Sequence, residues 1–247
     1  MSKKFMLLTV FCFLCMFSVK SMADIFSAAA SGDIDAMEIA LSEEGEDVNA
    51  TDKNGKTPLL IAIEKSSLNT VNYLFDNDAD FEVRDNLGNS ALMLACAVEK
   101  KDIVELLLQK GIDVDERNKN GETALIIAVK KNNDEIALLL LSKQANIAAT
   151  DKYGNTALIY AAINNNAELI KELTAAADQS LTDYKNKNGL SAFFIASALG
   201  NLEAVKQLIQ SGADVTLNSA SGINPLMACC SLGNLKTVKY LTDKIGF

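Results

Sequence analysis

LSAFFIASALGNLEAVKQLIQSGADVTLNSASG, residues 190–222, decides how the rest of the chain is read. It holds a short apolar helix, a Gly200-Asn201 turn, a second helix with one apolar face, and a Gly212-Ala213-Asp214-Val215 exit. The same unit recurs along the chain. A glycine closes successive copies at Gly55, Gly88, Gly121, Gly154, Gly189 and Gly222, at spacings of 33, 33, 33, 35 and 33 residues. Self-similarity at a fixed period of this length marks a stack of units that cannot bury their apolar faces alone.

The residues after each glycine repeat as well: Thr57-Pro58-Leu59, Ser90-Ala91-Leu92, Thr123-Ala124-Leu125, Thr156-Ala157-Leu158, Ser191-Ala192-Phe193 and Asn224-Pro225-Leu226. Ser, Thr and Asn suit a helix N-cap, where the side-chain oxygen accepts an orphan backbone N–H. Proline fits the first helical position, whose N–H has no partner in any case. Three residues after the Leu or Phe stands a small residue (Ala62, Ala95, Ala128, Ala161, Ala196, Cys229), which lets the next helix pair approach closely.

The period, the Thr-Pro-Leu-like opening and exits such as Gly111-Ile112-Asp113-Val114 closely resemble ankyrin repeats. The resemblance covers about Asp24 to Leu241. It implies an all-α ankyrin-repeat solenoid of about seven helix-turn-helix repeats joined by β-hairpin-like loops. The copies run at about 24–55, 56–88, 89–121, 122–154, 155–189, 190–222 and 223–247, read as one domain without linkers, the first and last copies acting as caps. The family usually places histidine after Thr-Pro-Leu. Here that position holds Leu60, Met93, Ile126, Ile159, Phe194 and Met227, so each interface is expected to lean on apolar packing. The second helices are expected to bury runs such as Val104/Leu107/Leu108 and Leu138 to Leu141. Copy five is two residues longer and its exit, residues 175–181, lacks the glycine, so a local distortion is expected there.

Residues 1–23 belong to another class. Lys3 and Lys4 precede an apolar run from Phe5 to Val19, and Ser21-Met22-Ala23 offers small residues at both cleavage-determining positions. This is the pattern of a secretory signal peptide; the run falls short of the roughly 20 residues that span a bilayer. The expectation is an exported protein, periplasmic or secreted, with no membrane insertion after signal cleavage. Cleavage removes three lysines and no acid, which moves the net charge from −9 to −12. An acidic chain repels phosphate backbones and anionic lipid heads, so nucleic acid is not an expected partner.

Chemistry is sparse. Without histidine there is no Ser-His-Asp or Cys-His nucleophile and no imidazole metal site. The glycines never form a phosphate loop. No enzyme activity, cofactor or metal is expected. The Asp/Asn-x-x-Gly tips read as Asx turns; they lack the long loop and bidentate Glu of a calcium site. Cys96, Cys229 and Cys230 remain after residue 23. Cys96 lies four copies from Cys229, and the adjacent pair is too close for a relaxed disulfide. All three read as small buried hydrophobes, with a Cys229/Cys230 redox accessory as the alternative.

The resemblance implies binding of a protein partner by a monomer, through repeat tips and the concave first-helix face. Carried over copy by copy, with each tip counted with the copy it leads into, these positions hold Lys53, Lys56 and Lys65 in copy two, and Leu87 and Asn89 around copy three. Copy four supplies Lys119, Glu122, Lys130 and Lys131. Copy five supplies Lys152, Tyr153 and Ile163, and copy six Leu190 and Leu199. A lysine-rich edge on an acidic protein points to a partner with an acidic patch, anchored by Leu87, Tyr153, Ile163, Leu190 and Leu199. A secreted effector that binds host proteins is the alternative destination.

Overall fold

A computed structural model describes residues 24–43 and 45–245; the predicted signal peptide lies outside these. Among the described residues the fold is all helical, fifteen helices without a strand, as expected. Two compact units divide the chain at Asn86/Leu87. The first holds α1 (Ile25–Ser31), α2 (Ile34–Ser42), α3 (Pro58–Glu64) and α4 (Leu68–Asp76). The second holds α5 (Ala91–Ala97), α6 (Lys101–Gln109), α7 (Ala124–Lys130), α8 (Asp134–Ser142), α9 (Ala157–Ile163) and α10 (Ala167–Ala175). It continues through α11 (Gln179–Thr182), α12 (Ala192–Leu199), α13 (Leu202–Gln210), α14 (Pro225–Ser231) and α15 (Leu235–Ile245).

Each copy is a pair of short helices, and the sequence starts them by capping. Thr123 Oγ1 accepts the Ile126 N–H, Thr156 Oγ1 that of Ile159, and Ser191 Oγ that of Phe194. Asn224 Oδ1 takes the Met227 N–H at 2.7 Å, with Pro225 next in line at the first helical position. Ser90 departs from the pattern: it precedes α5 but makes no side-chain cap bond. Within a copy the two helices turn through a left-handed residue, such as Glu99, Asn132 and Asn165.

Stacking buries the positions the pattern marks. Ala62, Ala95, Ala128, Ala161, Ala196 and Cys229 are all inaccessible to solvent. The residues at the family's histidine position are buried in copies two to six, from Leu60 to Phe194. Apolar packing therefore fills the place where the family more usually has an imidazole. In copy seven the equivalent Met227 is 60% exposed, since no further copy covers it among the described residues.

Three expectations need correction. Of the run Leu138 to Leu141, only Leu140 is fully buried, together with Ile136 and Ala137; Leu138 faces solvent. Four consecutive residues on a helix span more than its buried face, and the 3.6-residue period selects among them. Leu108 is likewise only half-buried. Cys230 is exposed, whereas Cys96 and Cys229 are buried. Cys96, Val129, Ala162 and Ser197, which share the Cys230 position, are buried in copies that have a successor.

The distortion expected in copy five takes a definite form. The longer exit winds into the single-turn helix α11, capped by Asp178 Oδ1 on the Leu181 N–H at 3.0 Å. Gln179 then donates to the Gly212 carbonyl of the next copy at 2.8 Å. The extra residues are thus absorbed by a helical turn tied to its neighbour.

Burial pushes the Cys96 thiol up to about 12 and raises that of Cys229 as well. Alkylation of the native protein is expected to modify Cys230 at once, and Cys96 and Cys229 only after unfolding. Site-by-site mass mapping checks this; rapid native labelling of Cys229 would revive a redox role for the pair.

Candidate functional site

The tips are built from Asx turns. Asp151 Oδ1 accepts the backbone N–H groups of Tyr153 and Asn155, both at 2.9 Å. The Asp151 N–H in turn reaches the Asn155 carbonyl at 3.0 Å, closing a short hairpin. Asn118 and Asn186 organise their tips in the same way.

Neighbouring tips are bonded to one another. In the second unit the Lys119 N–H donates to the Leu87 carbonyl, Lys152 to Asn120 and Lys187 to Tyr153, at 2.6–3.1 Å. In the first unit the Asn86 N–H donates to Asn54 at 2.8 Å. The result within each unit is a strip with fixed backbone whose side chains project outward. Binding residues on a fixed strip lose little backbone entropy when a partner docks.

On the second unit's strip, Leu87 is 65% and Tyr153 57% exposed, at the same tip position two copies apart. Lys152 lies 5.1 Å over the Tyr153 ring and donates to Asn120 Oδ1 at 3.0 Å. Lys119 is exposed beside them. At the far ends of the first helices, Lys131, Ile163 and Leu199 are exposed, while Leu190, behind the copy-six tip, is half-buried. In the first unit Lys53 and Lys65 are exposed, and Lys56 is half-buried in an ion pair with Glu64 at 2.6 Å.

Between tips and first helices of the second unit runs a polar network. The Asn118 amide donates to Asn89 Oδ1 at 2.9 Å and to Glu122 Oε2 at 3.0 Å. Lys130 pairs with the other Glu122 oxygen and sits 5.2 Å over the Tyr160 ring. The Tyr160 hydroxyl donates to Asp151 Oδ2 at 2.6 Å. Burial by itself raises the Glu122 carboxyl, but the Asn118 amide and Lys130 outweigh it and hold it below the usual range. Lys56 and Lys130 are therefore occupied by acids of this chain. On the second unit's tip strip, Lys119 and Lys152 are exposed at the surface that also carries Leu87 and Tyr153, while Lys131 is exposed at the far end of its helix.

Tyr160 is not conspicuous in the sequence, because its position is Ile or Leu in most other copies and only its hydroxyl signals a partner. Burial and the bond to Asp151 push it up to about 12. An acid whose folded value is raised contributes stability that is full below its unfolded value of about 10 and is lost as pH climbs to about 12. In a phenolate absorbance titration Tyr160 is expected to ionise last, and Tyr160→Phe to remove that final phase.

Also missed by sequence reasoning are Leu232, 63% exposed, and Leu235, 78% exposed. Leu232 occupies the same place in copy seven as Leu199 in copy six, a match that aligning the copies reveals. Among the described residues no three His, Cys, Asp or Glu side chains gather as a metal-holding group. No helix there is long and apolar enough to cross a membrane.

The family profile described as ankyrin repeats (3 copies) matches residues 25–118, 112–183 and 178–247. Among solved structures, the chain is similar to the ankyrin repeat domain of Bcl-3, described as a unique member of the IkappaB protein family. That similarity has 28% sequence identity and a TM-score of 0.72, and covers 87% of this chain and 97% of the other. No curated protein matches the chain.

Proposed function

The chain belongs to the ankyrin-repeat family, a protein-interaction scaffold, and on that premise we propose that it is an exported, non-enzymatic binder of an acidic protein. The observation that carries this reading is the bonded tip strip of the second unit. It presents Leu87 and Tyr153 as apolar anchors, with Lys119 and Lys152 between and beside them. Tyrosine is among the residue types enriched in binding hot spots, and Leu87 adds apolar area on the same strip. Lysines around them favour an acidic patch and speed its approach at low salt.

Export rests on the pattern of residues 1–23, and the partner is accordingly sought in the envelope or outside the cell. The test is affinity capture on the purified protein, run in parallel from an envelope fraction and from the surrounding medium. A partner enriched from the envelope supports a resident binding module; one drawn only from outside supports a secreted effector. In either case the captured protein is expected to dissociate as salt rises. A partner held equally well at high salt would contradict the lysine-directed reading.

A further inference from the structure

One cleft between first helices of the second unit is open where the next one is filled. Between α5 and α7 lies a cavity of about 210 Å³, with Leu94, Ala97 and Ile127 on its floor and Glu122, Lys130 and Lys131 at its mouth. In the following cleft, between α7 and α9, the positions of Ala97 and Ile127 are held by Lys130 and Tyr160. There the Lys130 nitrogen sits 5.2 Å over the centre of the half-buried Tyr160 ring. Two large side chains meet in one cleft where the other has an alanine and an isoleucine, and the volume they leave out is the cavity. Ala97 and Ile127 are both half-buried, so the cavity opens to solvent. The charges at its mouth differ in what they already hold. Lys130 pairs with Glu122, which also accepts from the Asn118 amide. Lys131 is exposed beside them, and among the described residues its side chain has no ion pair or hydrogen bond.

We propose that this cleft takes one aromatic side chain of the acidic partner, with a carboxylate next to it on Lys131. The proposal rests on the protein-binding reading and names the residues that the partner offers. Size sets the class of occupant. An apolar cavity of about 150 Å³ holds one benzene ring, whereas pockets for whole small molecules begin at about 300 Å³. A ring is also what the chain itself places in the neighbouring cleft, as Tyr160. Lysine at the mouth adds the attraction of a cation for a ring face, the contact that Lys130 makes with Tyr160. Charge sets the flank. The mouth carries two lysines against one carboxylate, and that carboxylate is already paired. An acid beside the ring therefore gains Lys131, and a base there is repelled by it.

The probe is a synthetic peptide, Gly-Ser-Asp-Phe-Asp-Ser-Gly, titrated into the purified protein while the methyl NMR signals of Leu94 and Ile127 are followed. One control peptide has alanine for the phenylalanine, and a second has lysine for both aspartates. The first peptide is expected to bind at least fivefold more tightly than either control. Ala97→Lys/Ile127→Tyr rebuilds here the pair that fills the next cleft and is expected to abolish the preference for phenylalanine. Lys131→Glu, at an exposed position, is expected to remove the preference for aspartate and keep that for phenylalanine. Equal binding of the phenylalanine and alanine peptides by the wild type overturns the cleft, whether or not the filled variant folds. So does an aspartate preference that survives Lys131→Glu. The captured partner separates this proposal from the tip reading. If Leu87→Ser/Tyr153→Ser weakens the partner while the peptides show no preference, the cleft fails and the tips stand. If the phenylalanine preference appears and Lys131→Glu weakens the partner while the tip variant does not, the tips fail and the cleft stands.

Discussion

Phe193→Ala is expected to destabilise the protein by about 3–5 kcal/mol, the range for truncating a fully buried phenylalanine. Phe193 is 1% exposed and the bulkiest of the fully buried side chains. It stands at the second position of α12, which packs against α9 of the preceding copy, its own partner α13 and α14 of the next. A cavity there loosens three interfaces together. In a stack each copy contacts only its neighbours, so the loss is also local. Urea unfolding monitored by circular dichroism should show a midpoint lowered by at least about 1 M, with the copies around α12 melting first. Leu199→Ala, on the same helix but 49% exposed, serves as control and should cost well under 1 kcal/mol. Equal losses from the two variants would show that α12 does not hold the stack together.

Gly154→Ala is expected to cost about 2–5 kcal/mol, and Gly111→Ala only about 1–2. Both glycines have left-handed backbone, with φ of 79° and 84°, a conformation that costs an L-residue roughly 1–2 kcal/mol. They differ in what a side chain would meet. A Cβ on Gly154 would lie 2.9 Å from the Lys187 backbone nitrogen, whereas one on Gly111 has nothing within 4 Å. The Lys187 nitrogen is the donor that ties the copy-six tip to the Tyr153 carbonyl. The alanine methyl therefore pushes against the bond that aligns two tips, and overpacking of this kind adds about 1–3 kcal/mol. Denaturant unfolding of the two variants measures the difference. Equal losses would mean that tip contacts contribute nothing beyond the backbone conformation.

The architecture is legible in the sequence because it is written several times. Any one Thr-Ala-Leu triplet is weak, but six in register with six glycines leave few alternatives, and Ala161 and Ile159 lie as buried as that register requires. Legibility fails where burial depends on whether the stack continues. Cys230 reads like Cys96, yet one is exposed and the other buried, because burial at that position comes with a succeeding copy. Leu138 fails for a different reason: its apolar character says nothing of the helical period that turns it outward. The candidate surface is only partly legible. Leu87 and Tyr153 stand out as apolar residues at a polar tip position, and both project into solvent. The occupation of Lys130 by Glu122 and Tyr160 is hidden, since those contacts join residues eight and thirty positions apart. Leu232 and Leu235 share their places with Leu199 and Leu202 of copy six, so alignment finds them, but the pattern says only that they are apolar and not that they are exposed.

The central claim is that the tip strip of the second unit binds a protein partner. The measurement that tests it most directly is the affinity of the captured partner for the wild-type protein and for a Leu87→Ser/Tyr153→Ser double variant. Both side chains are largely exposed, so the variant should unfold at the same urea concentration as the wild type. Removing two hot-spot anchors should weaken binding by at least about 30-fold, or roughly 2 kcal/mol. An unchanged dissociation constant in a variant of unchanged stability would contradict the account and move the binding surface elsewhere on the stack.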